Sequence, residues 1–128
     1  MPKLPLSLVL AIHEDLLRRY GGSPGILDLG RLEAALERPW AGFAGQEIFP
    51  TPWEKAAAYL TGIAKGHPFV EGNKRTAFAV ADIYLRLSGF RLTLSDEEAF
   101  SLVVGVAQCH QEVGDVAKAF RQHLDPPP

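Results

Sequence analysis

The sequence predicts an all-α protein, a compact bundle of about six helices with one short flap loop or hairpin. Three observations predict it. Apolar residues recur at three- and four-residue spacing along nearly the whole chain, start and stop signals bracket those stretches, and only the segment from Trp40 to Pro50 breaks the helical period.

The first helix carries Leu6, Val9, Leu10, His13 and Leu17 on one face, and Gly21 and Gly22 are its stop. Asp28 is the N-cap of a short second helix with Leu29, Leu32 and Leu36 on one side and Pro39 beyond its end. Trp40 to Pro50 holds two glycines and alternating aromatics, which reads as an exposed loop or small hairpin. Thr51, Pro52 and Glu54 open a third helix with a stripe of Trp53, Ala56, Ala57, Leu60 and Ala64, closed at Gly66. The fourth helix runs from about Gly72 to Ser88, with Gly89 as its stop. Ala77, Phe78, Val80, Ala81, Ile83, Tyr84, Leu85 and Leu87 are too many apolar residues for one stripe, so this helix is expected in the middle of the bundle. Ser95 and Glu98 form a capping box for a fifth helix with Phe100, Val103, Val104 and Ala107 inward. A sixth follows, with Val113, Val116, Ala117, Phe120 and Leu124 at helical spacing.

A chain of 128 residues with 47% hydrophobic and 22% charged residues suits one globular domain, expected over residues 1–125 with a short proline tail at 126–128. Lysine and arginine total 13 against 15 acidic residues, so no global positive field favours direct nucleic-acid binding. The longest apolar runs are five residues, such as Leu8 to Ile12, far short of the ~20 that cross a bilayer. With no secretory leader visible, a cytoplasmic location is expected. Cys109 is the only cysteine, which excludes an internal disulfide and a multi-cysteine zinc site, and its role is read as structural.

The chemistry concentrates in HPFVEGNKRTAF, His67 to Phe78. Pro68 disfavours helix at His67 and Gly72 permits a tight backbone, so His67 to Glu71 is expected as a loop leading into a helix N-terminus. Such a terminus attracts anions, and Asn73, Lys74 and Arg75 add neutral and cationic donors in its first turn. Phosphate is the ligand this suits. Glu71 is the metal candidate, because magnesium is typically held by one or two carboxylates together with substrate phosphates. His67 is the base candidate, since an ordinary histidine with a pKa of ~6.5 is largely neutral in the cell and accepts a proton from an attacking hydroxyl. Together these parts match what phosphoryl-type transfer needs. A purely structural reading stands beside it, in which His67 bonds a neighbouring carbonyl, Asn73 caps the helix, and Lys74 and Arg75 are a solvated pair.

Other signatures fail. There is no GxxxxGK[ST], GxGxxG or GxSxG motif. His13 and Glu14 begin an HExxH pattern, but Leu17 occupies the second histidine position, which excludes a zinc protease of that type. On an apolar helix face, His13 reads as a satisfied core histidine, while His110 and His123 read as surface residues.

HPFVEGNKR resembles the signature of Fic/Doc proteins, approximately HxFx(D/E)GN(G/K)R, with lysine in the variable position. IHEDLLRRYGGSPGILDLGRLEAALERP, AAAYL and LSGF extend the resemblance, in the Doc branch, over about the whole chain. It implies a compact bundle of about six helices. Fic enzymes usually transfer AMP from ATP to a protein hydroxyl, whereas Doc toxins are kinases that phosphorylate a threonine of elongation factor Tu and arrest translation. The resemblance implies His67 as catalytic base and Glu71 as the acidic position that orients phosphate through a metal. It implies Gly72 and Asn73 as anion-hole positions, and Lys74 and Arg75 as phosphate-binding cations. Lys74 stands where AMP-transferring members commonly have glycine, which favours an ATP orientation that presents the terminal phosphate. Many Doc-like sequences have Asp where this one has Glu71.

ATP and Mg2+ are therefore the expected cofactors. A toxin of a toxin–antitoxin module is the leading expectation; a Fic-type adenylyltransferase and a catalytically silent anion-binding module are the alternatives. No segment fits the inhibitory [S/T]xxxE[G/N] helix of many Fic proteins, the nearest, Thr93 to Glu98, ending in the wrong residue. Control is then expected from a cognate, Phd-like antitoxin whose disordered segment folds into a helix on the toxin. The Trp40 to Pro50 loop resembles the family's flap, which docks target backbone by strand-like pairing.

Overall fold

The structure, a computed structural model, describes residues 2–128. The expected helices form: α1 (Leu6–Tyr20), α2 (Leu29–Glu37), α3 (Pro52–Gly66), α4 (Asn73–Leu87), α5 (Asp96–Ala107) and α6 (Val113–Gln122). Their ends follow the capping chemistry. Asp28 accepts from the Arg31 N–H at the start of α2, Thr51 from the Glu54 N–H at α3, and Ser95 and Glu98 complete a reciprocal box at α5. Gly21 closes α1 at φ +83, its N–H on the Leu17 carbonyl.

The centre of the bundle is α3 rather than α4. Nine of its residues are buried, including the unbroken run Lys55–Thr61, and it packs against α2, α4, α5 and α6. Small side chains make this possible. Ala56, Ala57 and Ala58 let neighbours approach on several sides. A Cβ on Gly62 would stand only 3.1 Å from the Ala35 Cβ, so α2 and α3 meet almost backbone to backbone. The single stripe that the sequence suggests, Trp53, Ala56, Ala57, Leu60 and Ala64, underestimates this helix: Lys55, Ala58, Tyr59, Thr61 and Ile63 are buried as well, and Trp53 only partly.

Three further expectations shift. In α2 the buried side is Leu32, Ala35 and Leu36, and Leu29 faces solvent. In α5 the inward residues are Val103 and Val106, while Phe100 is 71% exposed. Apolar residues lie on several faces of that helix, so spacing fixes its existence but not its rotation. Leu124 is buried, yet it lies beyond α6. With Asp125 it forms a short strand (β4, Leu124–Asp125) paired antiparallel with β3 (Arg91–Leu92), fastened by the Arg91–Asp125 ion pair at 3.0 Å. A two-residue pairing between distant segments leaves no local sequence signal.

The irregular segment is a hairpin, β1 (Gly42–Phe43) with β2 (Gln46–Glu47), turning through Ala44 and Gly45, both at positive φ. Buried Lys55 anchors its base. Its ammonium pairs with Glu47 at 2.9 Å, donates to the Phe49 carbonyl and lies 4.7 Å from the centre of the Trp40 ring. Trp40 in turn donates to the Tyr59 hydroxyl at 2.9 Å. The hairpin tip is left outward, with Phe43 83% exposed.

Candidate active site

The His67–Gly72 loop joins the two helices that pack most extensively on each other, α3 and α4. At its first residue the sequence expectation changes slightly: Gly66 is the last residue of α3, and His67 itself takes the left-handed cap conformation, φ 52 and ψ 51, with its N–H on the Ile63 carbonyl at 3.2 Å. A non-glycine residue there is mildly strained, and the turn sends the imidazole outward into solvent.

Four groups of contacts then pin the loop. The Gly25–Asp28 segment pairs with it as a short ribbon: Val70 N–H donates to the Gly25 carbonyl at 3.1 Å, while Leu27 and Asp28 N–H share the Pro68 carbonyl at 2.7 and 3.0 Å. Phe69 is wholly buried and stacks on the His13 ring, centroids 3.7 Å apart. Asn73, 4% exposed, accepts from the Phe69 N–H and donates to the Phe69 carbonyl, both at 2.9 Å. His13 Nε2 donates to the Glu71 carbonyl at 2.8 Å. Gly72 follows at φ +81, with the side chains of His13 and Leu17 closing against it.

Helix α4 therefore begins without a side-chain cap and without an acid in its first turn. Its leading amides, Lys74 and Arg75 make an electropositive end. His67, Glu71, Gly72, Asn73, Lys74 and Arg75 all line one cleft of about 670 Å³. The cleft thus gathers the six residues singled out in the sequence. Glu71, Lys74 and Arg75 are exposed in it, and among the described residues none of the three makes an ion pair. The Arg75 guanidinium instead lies 4.4 Å from the centre of the Tyr20 ring, at the end of α1. The Asn73 side chain is consumed by Phe69, so what Asn73 offers the cleft is its backbone N–H.

The opposite wall was not legible in the sequence. Phe78 and Ala79 of α4 face Asp96, Ala99, Phe100 and Val103 of α5, giving the cleft an apolar side beside its cationic end. The outward rotation of Phe100 puts it there. Of the remaining histidines, His13 is buried and bonded and His110 is exposed, as expected, whereas His123, expected at the surface, is half-buried and bonds the Ala119 carbonyl. Cys109 is an exposed thiol at φ 62 in the turn after α5, so it fills no core position.

A cleft that sets an outward histidine beside a cationic helix start, on a loop spelled HPFVEGNKR, defines a class. The family model described as Fic/DOC family matches residues 3–85, and the chain belongs to that family. It is similar to the Protein kinase doc of Escherichia phage P1, 40% identical over 114 residues that cover 89% of each chain. It is also similar to the Toxin Doc of Mycolicibacterium smegmatis (strain ATCC 700084 / mc(2)155), 44% identical over 73 residues, 57% of this chain and 56% of that one. No helix among the described residues is long and apolar enough to cross a membrane.

Proposed function

We propose that this chain is the toxin of a toxin–antitoxin module and acts as an ATP-dependent protein kinase on a threonine of elongation factor Tu, blocking translation. The observation that carries this reading is the uncapped, acid-free start of α4, whose amides, Lys74 and Arg75 share one cleft with His67. The similarity to a protein named as a kinase supports it.

In this reading the amides of Gly72 and Asn73 bind phosphate oxygens, and Lys74 and Arg75 balance their charge. His67 takes the proton of the threonine hydroxyl as that oxygen forms its bond to the γ-phosphorus, and the bond to the bridging oxygen breaks to leave ADP. The donor set suits magnesium rather than a closed metal cage. Glu71 offers one exposed carboxylate, and among the described residues no cluster of three or more His, Cys, Asp and Glu exists. Bound there with the nucleotide, magnesium would supply charge neutralisation at the phosphates. Lys74 stands where AMP-transferring members of the family commonly have glycine, and its added bulk and charge favour an orientation that presents the terminal phosphate. The hairpin, outward and with Phe43 exposed beside its turn, docks the backbone of the protein substrate. A Phd-like antitoxin restrains the toxin until it is lost.

The test is incubation of purified protein with elongation factor Tu and ATP labelled at the α or the γ position. Transfer of γ label supports the kinase. Transfer of α label makes the chain an adenylyltransferase, and transfer of neither makes it a binding module. His67→Ala is expected to lower γ transfer by about 100-fold or more.

A further inference from the structure

His13 lies outside the loop motif and on another helix, yet it grips the loop at Glu71. Its ring is buried, stacks within 9° of parallel on Phe69, and directs Nε2 at the Glu71 carbonyl oxygen, 2.8 Å away. A carbonyl only accepts, so Nε2 is the donor in this bond. Packing alone does not require this, because a phenylalanine ring would fill the same stack. The gripped carbonyl belongs to the peptide unit that joins Glu71 to Gly72, and that unit is planar. Fixing its oxygen therefore fixes the Gly72 N–H at its other end. Glycine follows at φ +81, the residue type that least resists rotation of a neighbouring peptide, so this is the joint where the loop most needs a restraint.

We propose that His13 is a positioning residue for phosphoryl transfer. By holding the Glu71–Gly72 peptide plane it sets the direction of the Glu71 carboxylate arm and aims the amide that leads into α4. This rests on the kinase reading of the site. It assigns to the first helix a part in the chemistry that the HPFVEGNKR motif does not contain.

Three variants separate positioning from packing. His13→Phe keeps the stack and removes the N–H. His13→Gln carries an amide N–H with about the reach of Nε2, and His13→Asn carries the same group one carbon short. With magnesium, ATP and elongation factor Tu, kcat is expected to fall about 10-fold or more in His13→Phe and His13→Asn and to stay within about 3-fold in His13→Gln, while KM for ATP changes little. In a Glu71→Gln background, the effect of His13→Phe is expected to shrink, because both act through one peptide. The Gly72 amide resonance, read without nucleotide, is expected to move in His13→Phe and to return in His13→Gln.

Equal kcat in the three variants, additive losses in the Glu71→Gln background, or an unmoved Gly72 amide overturns the proposal. A wild-type chain that transfers no phosphate overturns the kinase reading instead, and the Gly72 resonance then decides the positioning role alone. Should His13→Phe not fold, the contrast between His13→Gln and His13→Asn makes the same decision.

Discussion

Asn73 and Phe69 form a closed pair: the Asn73 side chain accepts from the Phe69 N–H and donates to the Phe69 carbonyl, each at 2.9 Å, with both residues buried. The side chain of the first residue of α4 thus completes the backbone bonding of the loop before it, and the loop cannot shift without opening both bonds.

Asn73→Ala is therefore expected to destabilise the fold by about 2–4 kcal/mol, since it strands a buried donor and a buried acceptor at once. Asn73→Asp keeps the acceptor and loses the donor, so it is expected to fall between the two. Urea unfolding of the three proteins checks the order. A loss below about 0.5 kcal/mol for Asn73→Ala would show that Phe69 finds other partners.

His67 holds a left-handed backbone that glycine adopts without strain. His67→Gly is expected to raise stability by about 0.5–1 kcal/mol while removing phosphate transfer, a stability gain at the expense of activity. Thermal melting and the labelled-ATP assay read the two effects separately. A less stable His67→Gly protein would mean that the imidazole contributes packing despite its exposure.

Gly62 and Gly114 are helical glycines with opposite surroundings. A Cβ on Gly62 meets Ala35 at 3.1 Å, whereas one on Gly114 meets nothing within 4 Å. Gly62→Ala is expected to push α2 from α3 and destabilise by about 1–3 kcal/mol. Gly114→Ala is expected to stabilise by about 0.5–1 kcal/mol through helix propensity. Melting temperatures should move in opposite directions.

The Glu98 carboxyl is held below the usual carboxylate range, first by the Ser95 N–H, then by the Ser95 hydroxyl, with His123 adding a smaller pull. A pKa lowered on folding contributes stability above the unfolded-state value, and that contribution fades as pH falls through the folded value. Ser95→Ala is expected to destabilise by about 1 kcal/mol at neutral pH through the lost cap. Its deficit should narrow as pH falls through the lowered folded value, where Glu98 loses the charge that the Ser95 hydroxyl helps to hold. A deficit that is constant with pH would separate the cap from the carboxylate.

Local chemistry carried most of what the sequence made legible. The starts of α2, α3 and α5 are marked by their own capping residues, and His67 to Arg75 is contiguous, so its six residues reach one cleft largely through chain connectivity. What escaped depends on distant partners. The rotation of α5 is set by packing, so Phe100, expected inward, became a wall of the cleft instead. The β3–β4 ribbon and the central place of α3 arise from segments far apart in the chain. The apolar helix face marks His13 as a bonded core residue, which it is, but nothing in its own neighbourhood names Glu71 as its partner.

The central claim is that the start of α4 holds the phosphate end of a nucleotide under His67. Its most direct test is a crystal structure with magnesium and a non-hydrolysable ATP analogue. The terminal phosphate is expected against the Gly72 and Asn73 amides, with Lys74 and Arg75 on its oxygens and the His67 ring facing the γ-phosphorus. A nucleotide bound elsewhere on the protein, or one whose α-phosphate takes that place beneath His67, would contradict it.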